Sequence, residues 1–178
     1  MNLENKTTPW RYALPAVVLH WLLALLFPLM AGLGWYMLSI EDAPGSGWYF
    51  DLHKSVGLLV LALVLLRVVW RLGHTPQPAA LSPWRARLAA LTQTLLYAGI
   101  IVMPLTGLLG AWFSKYGVAF FGVNLSATAV PNHDLSEKFF AIHGAVIWFL
   151  VGLLFVHIAG ALKHLLIDRD GVFQRMWR

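Results

Sequence analysis

At 178 residues, 59% of them hydrophobic and 12% charged, with a mean hydropathy of +0.68, the chain has the composition of a membrane protein and the length of about four spans, with no room for a second soluble domain. The formal charge of +5 does not point to nucleic acid, because the basic residues flank apolar runs, where they orient a chain in a bilayer. The absence of cysteine excludes disulfides, thiolate metal centres and thioether-linked cofactors.

Met1 to Arg11 reads as a short polar tail. The run from Tyr12 is too long for the apolar core of a signal peptide, so it is expected to remain as a first span, about 12–38, with His20 near its start and a kink at Pro28. Glu41 to Gly47 is a turn by composition. The second span is the least obvious, because only Ser55 to Leu66 is free of charge. Extending it to about 48–72 gives a full crossing, with Lys54, Arg67 and Arg71 snorkelling from its ends. Gly73 to Arg87 is a proline-rich loop with a short interfacial helix near its end. The third span, about 88–112, contains Tyr97, Pro104 and Gly107 but no histidine, and Ser114 to Lys138 reads as a longer loop. The fourth, about 139–165, has no Asp, Glu, Lys or Arg from Phe139 to Leu162. The fold expected over residues 1–178 is therefore an all-α membrane protein, a single four-transmembrane-helix bundle.

Ten of the 13 Lys and Arg residues lie before the first span, around the junction of the second and third including the end of the second, or at the end of the fourth and after it; Lys54, Lys115 and Lys138 lie on the other side. Both termini are thus expected to be cytoplasmic.

The fourth span carries His143, His157 and His164 at intervals of 14 and 7 residues, close to whole numbers of helical turns, so the three share one face. His143 and His157 are about 21 Å apart along the axis. Topology then sorts the histidines by depth: His53 and His143 lie near the outer surface, His20 and His157 near the inner one. Ionisable groups within a span are functional candidates. A single membrane histidine can be a hydrogen-bonded helix contact, but two depth-matched pairs suit a six-coordinate haem held between helices. Gly57 and Gly144 beside the ligands would make room for the macrocycle, and Arg67, Arg71 and Lys163 would pair with its propionates. A zinc or copper centre would need more ligands, and no carboxylate accompanies either pair. His164, about 10 Å beyond His157, reads either as a proton donor to a quinone near the inner haem or as an interfacial residue beside Lys163. His74 and His133 read as surface loop residues.

His20-Trp21, the H-x-S-x-G of His53, Ser55 and Gly57, Tyr97 with Pro104 and Gly107, and His143 with His157 together resemble the bacterial cytochrome b561 family along essentially the whole chain. The resemblance implies two non-covalent b haems, one with its iron on His53 and His143 and one on His20 and His157. It also implies electron transfer across the bacterial inner membrane, and His164 matches a family histidine at the quinone end. The nearest well-defined activity in that family is superoxide:ubiquinone oxidoreductase, with Lys54, Lys115 and Lys138 as the residues that would steer superoxide. The outer loops also carry Glu41, Asp42, Asp51, Asp134 and Glu137, a poor field for attracting an anion. Two other functions stay open: a cytochrome b subunit that passes electrons between a periplasmic partner protein and quinone, and a haem-free bundle whose histidines relay protons or bind a metal.

Overall fold

Proline sets where two of the helices begin, since its missing N–H costs no intrahelical bond in a first turn. Pro15 lies at the start of α1 (Leu14–Ser39), and Pro83 opens α3 (Pro83–Phe113). Between them runs α2 (Gly47–Gly73), and α4 (His133–Lys163) completes the bundle. The computed structural model describes residues 10–126 and 129–177; the polar tail before Trp10, with Lys6, and the terminal Arg178 lie outside the described residues. All four helices are long and apolar enough to cross a membrane. α1 and α3 run unbroken through Pro28 and Pro104.

Two helices are longer than their apolar runs. α3 begins at Pro83, so the short interfacial helix expected before it is its own first turn. α4 begins at His133, which places that histidine in a helix rather than a loop, 3.3 Å from Glu137. The reason is local. The Asn132 side chain accepts the Leu135 N–H at 3.1 Å, Asp134 sits in the positive first turn, and the buried Ser136 hydroxyl donates to the Gly110 carbonyl at 2.9 Å. These polar contacts prolong the helix beyond the hydrocarbon region.

The loop between α3 and α4 holds a small hairpin, β1 (Ala119–Phe120) and β2 (Val123–Asn124), paired antiparallel. Its two-residue turn puts Phe121 at φ 46° and Gly122 at φ 88°, both in the left-handed region that tight hairpins require. Strands of two residues leave no alternation for a sequence to reveal. Ser55, 1% exposed, fastens the hairpin to α2: its hydroxyl donates to the Asp51 carbonyl at 2.7 Å and accepts the Phe121 N–H at 2.9 Å.

At the opposite end the chain folds back on itself. After α4 a π-turn (His164–Asp168) leads through Arg169 at φ 49° and Gly171 at φ 79° into a 3-10 turn (Phe173–Met176). This strap is tied across the bundle: the Trp21 indole donates to the Met176 carbonyl at 2.8 Å, Tyr12 N–H to Arg175 O at 3.1 Å, and the Arg175 guanidinium to Gln77 O at 2.9 Å. Both ends of the described chain therefore meet on one face, as four crossings require.

α3 and α4 make the most extensive helix pair among the described residues. Gly99 lies so near Leu150 that any Cβ there would collide with it, and Leu150 is 1% exposed with nowhere to move. Gly99→Val is expected to destabilise the bundle by about 1–3 kcal/mol, measured as a lowered thermal unfolding midpoint in detergent micelles.

Candidate functional site

The structure brings together the histidines that depth alone groups. His53 of α2 and His143 of α4 have ring centres 6.3 Å apart, and His20 of α1 and His157 of α4 have theirs 6.2 Å apart. An ion held between two imidazoles needs a bond of about 2 Å to each nitrogen, and each nitrogen lies a little over 1 Å from its ring centre, which totals about 6 Å. Both gaps have that span.

Each imidazole is held differently. His143 Nδ1 lies 2.8 Å from the Met103 carbonyl, which can only accept. Nδ1 therefore carries the proton, and Nε2 keeps the lone pair a metal requires. Gly107 makes this approach possible, because a Cβ there would lie 2.9 Å from the His143 ring. His53 packs against Gly34, where a Cβ would lie 3.3 Å from its Cε1. Its Nδ1 is buried without a hydrogen-bond partner among the described residues, so the ring has a binding capacity that these residues leave unused. At the other pair, the Arg67 guanidinium donates to Ala16 O at 3.0 Å and lies 3.2 Å from His20 Nδ1. A guanidinium only donates, so here Nδ1 accepts and the neutral ring would carry its proton on Nε2.

Of the other expected cofactor residues, Gly57 faces Met30, and Gly144 has open space where a side chain would project. The glycines that touch rings of the histidine couples are Gly34 and Gly107. Gly107 stands among the residues of the family resemblance. Gly34 was missed, although it follows His20 by 14 residues, the same interval that puts His143 and His157 on one face. Arg67 is at the His20–His157 pair. Arg71, one turn on, lines a groove between α2 and α3. Lys163 is engaged by Asp168 rather than aimed at a histidine pair.

His164 sits at the root of the strap. Its Nδ1 lies 2.7 Å from Asp170 Oδ2 and 3.6 Å from Asp168 Oδ2. Asp168 is also bonded by Lys163 and lies 3.6 Å from Arg85. Asp170 meets no Lys or Arg among the described residues; besides His164 it takes the Val172 N–H at 3.1 Å. No local spacing announces this pair, because the left-handed turn at Arg169 is what folds Asp170 back. His74 stacks on Trp70 with ring centres 4.0 Å apart, away from both pairs.

At the hairpin end, Lys54 is held by Asp51 at 2.7 Å and donates to Gly117 O at 3.3 Å. Lys115 lies over the Tyr116 ring at 4.9 Å and lines a small cavity of about 130 Å³, and Lys138 is exposed.

A family model described as prokaryotic cytochrome b561 matches residues 11–178. The chain is 32% identical over 183 aligned residues to cytochrome b561 homolog 2 of Escherichia coli (strain K12), an alignment covering 99% of this chain and 95% of that protein. It is 25% identical over 174 residues to the probable superoxide oxidase CybB of Yersinia pestis, covering 93% and 95%. Gly107→Val, which drives a side chain into the His143 ring, is expected to lower the haem retained per protein while Gly144→Ala retains it, as read from a pyridine haemochrome assay of the purified protein.

Proposed function

We propose that this chain, which belongs to the prokaryotic cytochrome b561 family, takes single electrons from superoxide at the His53–His143 end and delivers them to ubiquinone at the His20–His157–His164 end. Family membership makes it a haem b-binding, multi-pass bacterial membrane protein of electron transfer. The number of haems, the donor, the acceptor and the orientation are our reading. That orientation is in the inner membrane, with both termini cytoplasmic, and the lysine and arginine bias supports it. The observation that carries the reading is the pair of gaps, 6.3 and 6.2 Å, held near opposite ends of the bundle by two histidines of one helix.

His53 with His143, and His20 with His157, would each hold one haem b, which supplies when bound a centre that accepts and releases one electron at a time. The rest is the work of the chain. The Met103 carbonyl fixes the His143 tautomer, and Gly34 and Gly107 leave the rings room to stand in place. Arg67 must give up its bond to His20 Nδ1 for Nε2 to ligate, and a propionate is the anion that would draw it away. The apolar helices around the pairs exclude water.

Two superoxide anions lose one electron each and leave as dioxygen; one ubiquinone gains two electrons and two protons. Only the quinone end needs proton chemistry. Asp170 would hold Nδ1–H of His164, leaving Nε2 as the atom that passes a proton to the quinone oxygen, with the ring recharged from water. The name of the Yersinia pestis relative supports superoxide as donor. A second reading keeps the carrier and replaces superoxide with a periplasmic donor protein. It is favoured by the engagement of Lys54 with Asp51 and Gly117, which leaves Lys115 and Lys138 to attract an anion.

Reconstituted with ubiquinone under a steady superoxide flux, the protein is expected to show a reduced b-type spectrum and to form quinol. A b-type spectrum that stays oxidised would overturn superoxide as donor and favour the protein partner. Protein from haem-replete cells without b-type bands would overturn the whole reading. His143→Ala and His157→Ala should each remove about half of the haem, since one axial ligand of a different centre is lost in each. Asp170→Asn is expected to slow quinol formation by on the order of 10²-fold and to change its pH profile, with haem content and haem reduction by superoxide preserved.

A further inference from the structure

None of the histidines lines the groove of about 370 Å³ between α2 and α3. Its polar residues are Arg71 from α2 and Gln93, Thr94 and Tyr97 from α3, and Val68 and Ile101 form an apolar part. Gln93 and Thr94 are exposed on the outside of the bundle, where the membrane lies. Arg71 is half-buried, two residues before the end of α2, on the side where the strap and both ends of the described chain meet. Among the described residues it has no acceptor within hydrogen-bond or ion-pair reach, whereas Arg67 one turn earlier is held by Ala16 and His20.

A guanidinium, an amide, a hydroxyl and a phenol gathered on a lipid-facing groove are costly without a partner. Water at the surface could serve an isolated arginine. It does not explain why three further polar side chains converge on the same groove with apolar residues beside them. The combination matches an amphiphile with an anionic, oxygen-rich head and a hydrocarbon tail, and basic pockets between transmembrane helices are known to take such heads.

We propose that this groove binds the head group of an anionic phospholipid, with its phosphate paired to Arg71 and hydrogen-bonded by Gln93 and Thr94, and an acyl chain along Val68 and Ile101. Charge complementarity selects this occupant. A zwitterionic lipid brings its own cation to the phosphate, and a neutral quinone head has no need of a fixed positive charge. The site also touches the electron-transfer machinery: Tyr97 in its wall lies under the Arg67 guanidinium at 5.8 Å, and Arg67 reaches His20. A bound lipid would therefore pack against the ring that lies beneath Arg67. The proposal does not depend on which molecule donates electrons.

The test is native mass spectrometry of the purified haem protein released from detergent after equilibration with phosphatidylglycerol, phosphatidylcholine or a short-chain ubiquinone. The wild type is expected to retain one phosphatidylglycerol with at least about tenfold preference over phosphatidylcholine, as a charge-assisted Arg–phosphate pair would confer. Arg71→Gln and, separately, Thr94→Val should each weaken that retention, and the b-type spectrum of the Thr94→Val protein serves as the folding check. Equal retention of the two lipids, or retention unchanged in both variants, would overturn the proposal. So would displacement of phosphatidylglycerol by the ubiquinone analogue with Arg71 dispensable, which would make the groove a quinone site.

Discussion

An imidazole inside the hydrocarbon layer must find partners within the protein, and the bundle sets four such rings in two facing couples. Each ring has two nitrogens. At His143 the Met103 carbonyl takes one, and at His20 Arg67 meets one. Between the rings of each couple lies a gap, 6.2 and 6.3 Å from centre to centre, which on the proposed reading an ion bonded to both would fill. The gaps stay open because the close packing lies elsewhere. α3 is pressed onto α4 at Gly99 and Gly110, and α1 packs along α2. α4 faces α1 with the His20–His157 and Trp35–Trp148 ring pairs and α2 with His53–His143. The tight helix pairs give rigidity, and the looser contacts leave room for a flat cofactor.

The spans were legible because a bilayer imposes one length and one polarity on every crossing, and the histidine couples were legible because helical rise turns sequence interval into depth. The helix ends were not. Reading charge as the limit of a span stopped the fourth helix at Phe139 and missed the turn and a half from His133, which capping by Asn132 and the Ser136–Gly110 bond maintain in a polar setting. The hairpin at Ala119–Asn124 was invisible for another reason: it is held by Ser55 from a distant helix rather than by any pattern of its own. Asp170 belongs to the same class. Its meeting with His164 depends on the left-handed turn at Arg169, a residue that does not announce such a backbone. Gly34, by contrast, was within reach, since the interval argument applied to the fourth helix works equally in the first.

Each end of the bundle is closed by a short segment fastened through backbone groups, and the two closures have different chemistry. The hairpin end is tied by serine hydroxyls, Ser55 to Asp51 O and Phe121 N, and Ser126 to Val118 N, with Lys54 neutralised by Asp51. The strap end is tied by an indole, a guanidinium and backbone amides, and it gathers His164, Asp168, Asp170, Lys163 and Arg85 into one cluster.

That asymmetry bears on direction. Oxidising superoxide to dioxygen moves an electron and no proton, so the receiving end needs access but no acid or base. Reducing a quinone needs two protons for every two electrons, and a site in an apolar bundle can obtain them only through titratable groups that reach water. The buried hydroxyls at the hairpin end are committed to backbone partners and are poor proton carriers. The imidazole–carboxylate cluster at the strap end is partly exposed and has one carboxylate, Asp170, that no lysine or arginine among the described residues satisfies. On the reading proposed above, bare electrons enter at the hairpin and are combined with protons at the strap.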